Sequence, residues 1–132
     1  MSAKITNDTL NAYALTDSVL RRIRTALTVP EMGGILGGNE NRVVTEFHHD
    51  STGRTTARTY APDIDRLNEV IREWSQRGIT FVGFVHSHPP NRNNLSAVDI
   101  RYAEKIKTCC GMAEILMLLY LPSEDSFHQF VL

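Results

Sequence analysis

ITFVGFVHSHPPNRNNLSAVDI, residues 79–100, passes from an unbroken apolar stretch into two histidines one residue apart. A doubled proline follows, then a polar loop, then a serine and an aspartate three residues apart. The apolar half has no polar alternation, the pattern of a strand covered on both faces. SAVDIRYAEKIK, from Ser96, opens a helix. A buried strand running into a helix calls for a sheet with helices packed on it, and the rest of the chain is read outward from this unit.

Upstream, Thr16 caps DSVLRRIRTAL, where Val19, Leu20, Ile23 and Leu27 recur at helical steps until Pro30. EMGGILGG (31–38), the turn NEN and RVVTEFHH (42–49) read as a hairpin. DSTGRTTARTYAP (50–62) has no period and is expected to be a mobile loop. In DIDRLNEVIREWSQR (63–77), Ile64, Leu67, Val70, Ile71 and Trp74 form one helical stripe that ends at Gly78. AEILMLLYL (113–121) and SFHQFVL (126–132) are two closing strands around PSED. No repeat or low-complexity segment occurs. The expectation is an α/β (α+β) fold, one mixed sheet flanked by helices, as a single domain over residues 1–132.

The 132 residues suffice for one domain with a hydrophobic core and are few for two. Apolar residues at 42% and charged residues at 22% exclude the profile of a disordered chain. A net charge of -1 supplies no bulk field toward nucleic acid or anionic lipid, so neither is an expected partner and function is sought in a local site. The start, MSAKITNDTLNAYALTD, lacks the basic head and apolar core of a secretory leader, and no run reaches membrane-spanning length; a cytoplasmic location is expected. Cys109 and Cys110 are adjacent, cannot staple distant segments, and are expected to be reduced, one of them packed as a small apolar residue.

On a strand, alternate side chains share a face, so His86 and His88 converge while Ser87 points away. Imidazole nitrogens suit zinc, which keeps three protein ligands when it is catalytic. Asp99 in the first turn of the next helix is the candidate third ligand, and Pro89 and Pro90 restrict the connecting loop. A second reading stands beside this one: S-x-x-D before apolar residues is close to a capping box, and histidines at a strand end can simply bond to water or backbone. His48, His49 and Asp50 read as a solvated strand end, since neighbours on a strand face opposite sides. His128 reads as a packed or exposed histidine, and Trp74 as core. GGILGG is followed by NENR, without the lysine and Ser/Thr of a phosphate loop.

Taken whole, HSHPPNRNNLSAVD resembles the signature of the JAMM (MPN+) family of zinc metalloproteases, which includes deubiquitinating isopeptidases: H-[ST]-H-P, a loop, then S-x-x-D. EMGGILGG looks like that family's upstream E-x-x-G segment, and by position Glu31 is the match. The likeness runs through nearly the whole chain in order. It implies a cytidine-deaminase-like JAMM/MPN domain in which His86, His88 and Asp99 hold Zn²⁺ and a water fills the fourth position. Glu31 would be the general base and Ser96 would donate a hydrogen bond to the oxyanion.

The implied substrate is the amide bond after the C-terminal tail of a ubiquitin-like protein or its conjugate, with E1- and E2-like conjugation enzymes as pathway partners. The loop around Arg54, Thr55, Thr56 and Arg58 lies where the family carries an insertion that touches substrate, and it reads equally as a flap or as a plain surface loop. A RadC-like protein, or an MPN-type scaffold without peptidase activity, is the alternative. All the metal and base positions are filled here, which favours the peptidase. The second insertion of larger deubiquitinases has no counterpart, so a minimal bacterial or archaeal-type enzyme is expected, without linkage selectivity.

Overall fold

The apolar stretch that opened the reading lies in the middle of a sheet. The computed structural model describes residues 4–7, 12–55 and 60–132. In chain order the elements are β1 (Lys4–Asn7), β2 (Ala14–Leu15), α1 (Asp17–Ala26), β3 (Gly33–Gly38), β4 (Val43–His49), β5 (Arg54–Thr55) and β6 (Tyr60–Ala61). Then come α2 (Ile64–Gln76), β7 (Thr80–Ser87), α3 (Ala97–Cys109), β8 (Leu116–Leu121) and β9 (Ser126–Val131). Seven strands form one mixed sheet in the order β1-β9-β8-β7-β3-β4-β2, and β5 and β6 pair separately.

β7 runs antiparallel to β3 and parallel to β8, with α3 as the crossover between the parallel pair. Every residue of β7 from Phe81 to Ser87 is buried, as is all of β8, which is why neither shows alternation in sequence. One face of the sheet packs on α1 through Val19, Leu20, Ile23 and Leu27 against Leu36, Val85, Leu118 and Phe127. The other face packs on α2 and α3 through Leu67, Val70, Trp74 and Ala103 against Ile35, Phe84 and Met117. Each large apolar side chain so covered contributes about 1.5–3 kcal/mol.

The helix ends follow their sequence signals. Thr16 accepts the Val19 N–H and Asp63 that of Arg66. α2 closes in a Schellman arrangement: Gly78, at φ 75°, donates to the Ser75 carbonyl, and Ile79 to that of Trp74. Close packing elsewhere depends on having no side chain. A Cβ at Gly83 would fall on the Leu116 carbonyl of the parallel neighbour.

Several expectations are corrected. Ile64 is 45% exposed and lines a surface cleft with Thr52, Ala61 and Pro62 instead of joining the buried stripe. Cys109 and Cys110 are both free and exposed, because the last turn of α3 carries them off the sheet. The segment 50–62 is not wholly irregular: Arg54 pairs with Ala61 and Thr55 with Tyr60 in a short ribbon, while Thr56 and Arg58 lie outside the described residues. β1 and β2 had no counterpart in the sequence reading; they are too short to show a period and are held by parallel pairing to β9 and β4. Among the described residues no helix is long and apolar enough to cross a membrane.

Replacing Gly83 by alanine is expected to lower stability by about 3 kcal/mol or more, since the obstacle is backbone that cannot yield. Urea denaturation of the variant against wild type measures this.

Candidate metal centre

A bulge sets which way the histidines face. The β3–β7 ladder pairs Leu36 with Gly83 and then Gly37 with Phe81, leaving Val82 extra. That shift of phase puts Phe81, Phe84 and His86 on the α2/α3 face, with the Phe81 and Phe84 rings 5.4 Å apart. His88 lies one residue past the strand, but its N–H donates to the Tyr120 carbonyl at 3.0 Å and so continues the ladder. The two imidazoles stand 4.6 Å apart between centroids, at 76°. Both are buried.

α3 delivers Asp99 to this pair. Ser96 caps the helix by accepting the Asp99 N–H at 3.1 Å, and Asp99 Oδ2 accepts the Ser96 N–H at 2.9 Å, a complete capping box. The capping reading and the ligand reading are therefore both met by one carboxylate. Its Oδ1 lies 3.6 Å from His86 Nε2, and its Oδ2 lies 3.6 Å from His88 Nε2. His86, His88 and Asp99 offer donor atoms that all fall within 4.8 Å of one another and could hold a metal ion.

The set fits zinc on two counts. Tetrahedral bonds of about 2.0–2.1 Å separate ligand atoms by roughly 3.3 Å, close to the spacing observed. His88 Nδ1 is 2.9 Å from the Arg92 carbonyl, which can only accept. In the neutral ring the proton therefore sits on Nδ1, which leaves the Nε2 lone pair facing the site.

Glu31 arrives from the other neighbour of β7. Gly33 pairs with His86, so the residue two earlier stands beside His88 on the same face, 57 positions away in sequence (88 − 31). Its Oε1 is 3.5 Å from His88 Nε2. The carboxylate borders the trio without belonging to it.

Burial and charge pull these groups in different directions. Burial pushes His86 down to about 4, against the pull of Asp99. Burial would also lower His88, but the facing Asp99, the Arg92 carbonyl and Glu31 leave it raised. Asp99 feels burial upward, yet His88, His86 and the Ser96 bonds hold it at about 2. Glu31 is raised, first by burial and then by Asp99, with His88 and Arg92 opposing. At neutral pH two of the three groups, a neutral His86 and an ionised Asp99, are thus in the states a metal needs, while the raised His88 gives up a proton when an ion binds.

The remaining candidates stay apart from the site. Asp50 is buried and accepts the Asp63 N–H at 3.0 Å, and His48 is lowered mainly by burial. His128 is packed against Ser126, 3.1 Å away. Trp74 is core. The sequence reading gave no role to Ser87, whose hydroxyl bonds to the chain on both sides of Glu31. The signal was present: a small hydroxyl residue between two inward-facing histidines must point into the opposite layer.

The sequence matches the family of prokaryotic homologs of the JAB domain over residues 16–127. The chain belongs to the JAB-domain family. That family includes metallopeptidases, and its domain contains every residue of the site described above. A chain of similar fold is protein DSY2949 from Desulfitobacterium hafniense, whose structure was determined in solution. It has 20% identity and a TM-score of 0.63, over 90% of this chain and 82% of that one. No curated protein matches the sequence.

The buried His86 makes the metal-free JAB domain sensitive to acid. Its folded pKa is depressed to about 4, so the unfolded chain takes up a proton near 6.5 that the folded chain refuses. Stability from neutral His86 is complete above pH 6.5 and falls as the pH drops toward 4. The raised His88 works in the opposite sense, so the effect is read as a difference. Between about pH 7 and about pH 5, metal-free wild type is expected to lose more stability to urea than His86→Gln does.

Proposed function

We propose that the protein is a zinc-dependent isopeptidase or peptidase that hydrolyses the amide bond after the C-terminal tail of a ubiquitin-like protein or its conjugate. The observation that carries this is Glu31: a carboxylate 3.5 Å from His88 Nε2, beside the His86–His88–Asp99 group and outside it. A site that only stored metal would have no use for a half-buried acid held next to its ligands.

In this reading His86, His88 and Asp99 would hold Zn²⁺, which when bound would supply the Lewis acidity that activates water and polarises the substrate carbonyl. Glu31 takes the proton from the attacking water and hands it to the departing amine, and its raised pKa suits both halves of that cycle. Arg92, through its carbonyl, holds the His88 ring in the ligating tautomer. Ser96 accepts the Asp99 N–H with one lone pair and keeps its proton for the oxyanion.

The substrate class is supported by the shape of the approach. On the His86 and Asp99 side lies a cavity of about 100 Å³, walled by Pro62, Phe84, Val98, Tyr102 and Met117. A space of that size admits a residue or two of a thin chain and excludes a folded domain. E1- and E2-like conjugation enzymes as partners rest on the family resemblance alone.

Purified protein is expected to carry about one zinc per chain by elemental analysis, and folded protein that binds none would overturn the reading. Glu31→Gln should keep that zinc and lose about 10²-fold or more in cleavage of a ubiquitin-like fusion. Ser96→Gly, which costs the helix cap only a few tenths of a kcal/mol, should lower kcat by about 10²-fold with zinc retained. An unchanged kcat would leave Ser96 as a cap alone.

A further inference from the structure

Ser87 is fully buried and sits between the two histidines, with its side chain in the opposite layer. There it meets the segment that joins α1 to β3. Its hydroxyl donates to the Val29 carbonyl at 2.7 Å and accepts the Met32 N–H at 2.9 Å, while its own N–H donates to the Met32 carbonyl at 2.9 Å. These bonds grip the chain two residues before Glu31 and one residue after it. The β3–β7 register brings Glu31 level with His88, but Glu31 itself precedes β3 and lies past the last paired residue, Gly33.

We infer that Ser87 is the positioning residue for Glu31, fixing its carboxylate beside His88 from the far side of the sheet. The peptide 85–88 then carries both halves of the site. His86 and His88 face one layer as metal donors, and Ser87 faces the other as the clamp on the acid. The geometry explains why a hydroxyl is needed there. The Val29 carbonyl requires a donor and the Met32 amide an acceptor, and among small side chains a hydroxyl supplies both from one atom. Threonine meets the same demand, alanine neither part of it, and cysteine only weakly.

The inference rests on Glu31 being the functional acid of the proposed reaction, and its test begins with a measurement that needs no reaction. In metal-free protein, amide hydrogen exchange at Met32 should quicken roughly tenfold in Ser87→Ala, with exchange in β8 unchanged. Ser87→Thr should restore the wild-type rate. Crystal structures should show the Glu31–His88 separation lengthened in Ser87→Ala and restored in Ser87→Thr.

The second arm uses zinc-loaded protein and a ubiquitin-like fusion as probe. Ser87→Ala should keep its zinc and its KM, lose kcat, and have no added effect in a Glu31→Gln background. If Ser87→Ala does not fold, Ser87→Cys carries the same comparisons.

Unchanged Met32 exchange and an unmoved Glu31 would overturn the clamp. So would losses in Ser87→Ala and Glu31→Gln that simply multiply. A wild type inert toward the probe would count against the proposed reaction alone, because the exchange and crystallographic arms would still decide the clamp.

Discussion

The register of β3 against β7 is the constraint on which the site depends. Gly33 opposite His86 sets where Glu31 falls, and the bulge at Val82 sets which layer the histidines enter. A slip of one residue would send His86 and His88 toward α1 and leave Asp99 facing apolar side chains. That register is secured by shape more than by polar bonds. Gly37 lies so close to α2 that a Cβ there would come within 2.8 Å of the Trp74 ring, and Gly83 admits the β8 backbone on the other side. The glycines of GGILGG, read in sequence as one arm of a hairpin, are the means by which a strand is laid between two tight neighbours.

The parts of the fold that were legible share one property: their periodicity is imposed by a large apolar surface. α1 and α2 each present a stripe to the sheet, and Leu67, Val70 and Trp74 fall where the helical count puts them. β7 and β8 are apolar throughout because both faces are covered. The elements that escaped notice, β1, β2 and the β5–β6 ribbon, are short and held by backbone pairing, which is nearly blind to side-chain identity. Ile64 and the cysteines show the converse limit, since position on a stripe says nothing about how far the opposing surface extends.

The site was legible to a different degree at each residue. His86, His88 and Asp99 are close in sequence, and strand alternation followed by a capped helix start nearly compels their meeting. Glu31 was reached only through the resemblance to a family motif; nothing in the residues alone distinguishes it from a surface acid after a proline. Its place depends on pairing between segments more than fifty positions apart, which only the folded register reveals. Arg92 could not be anticipated at all, since it acts through a backbone carbonyl that any residue could offer.

The double duty of Asp99 has a kinetic consequence. The carboxylate that closes the first turn of α3 is also the one facing the histidines, so that turn could not unwind without withdrawing a donor from any ion held there. First turns of helices open and close far faster than buried strands separate. The residence time of any metal held here would thus be tied to helix fraying more than to opening of the buried strand that carries the histidines. Exchange of the ion would begin at Asp99, with the protein otherwise intact.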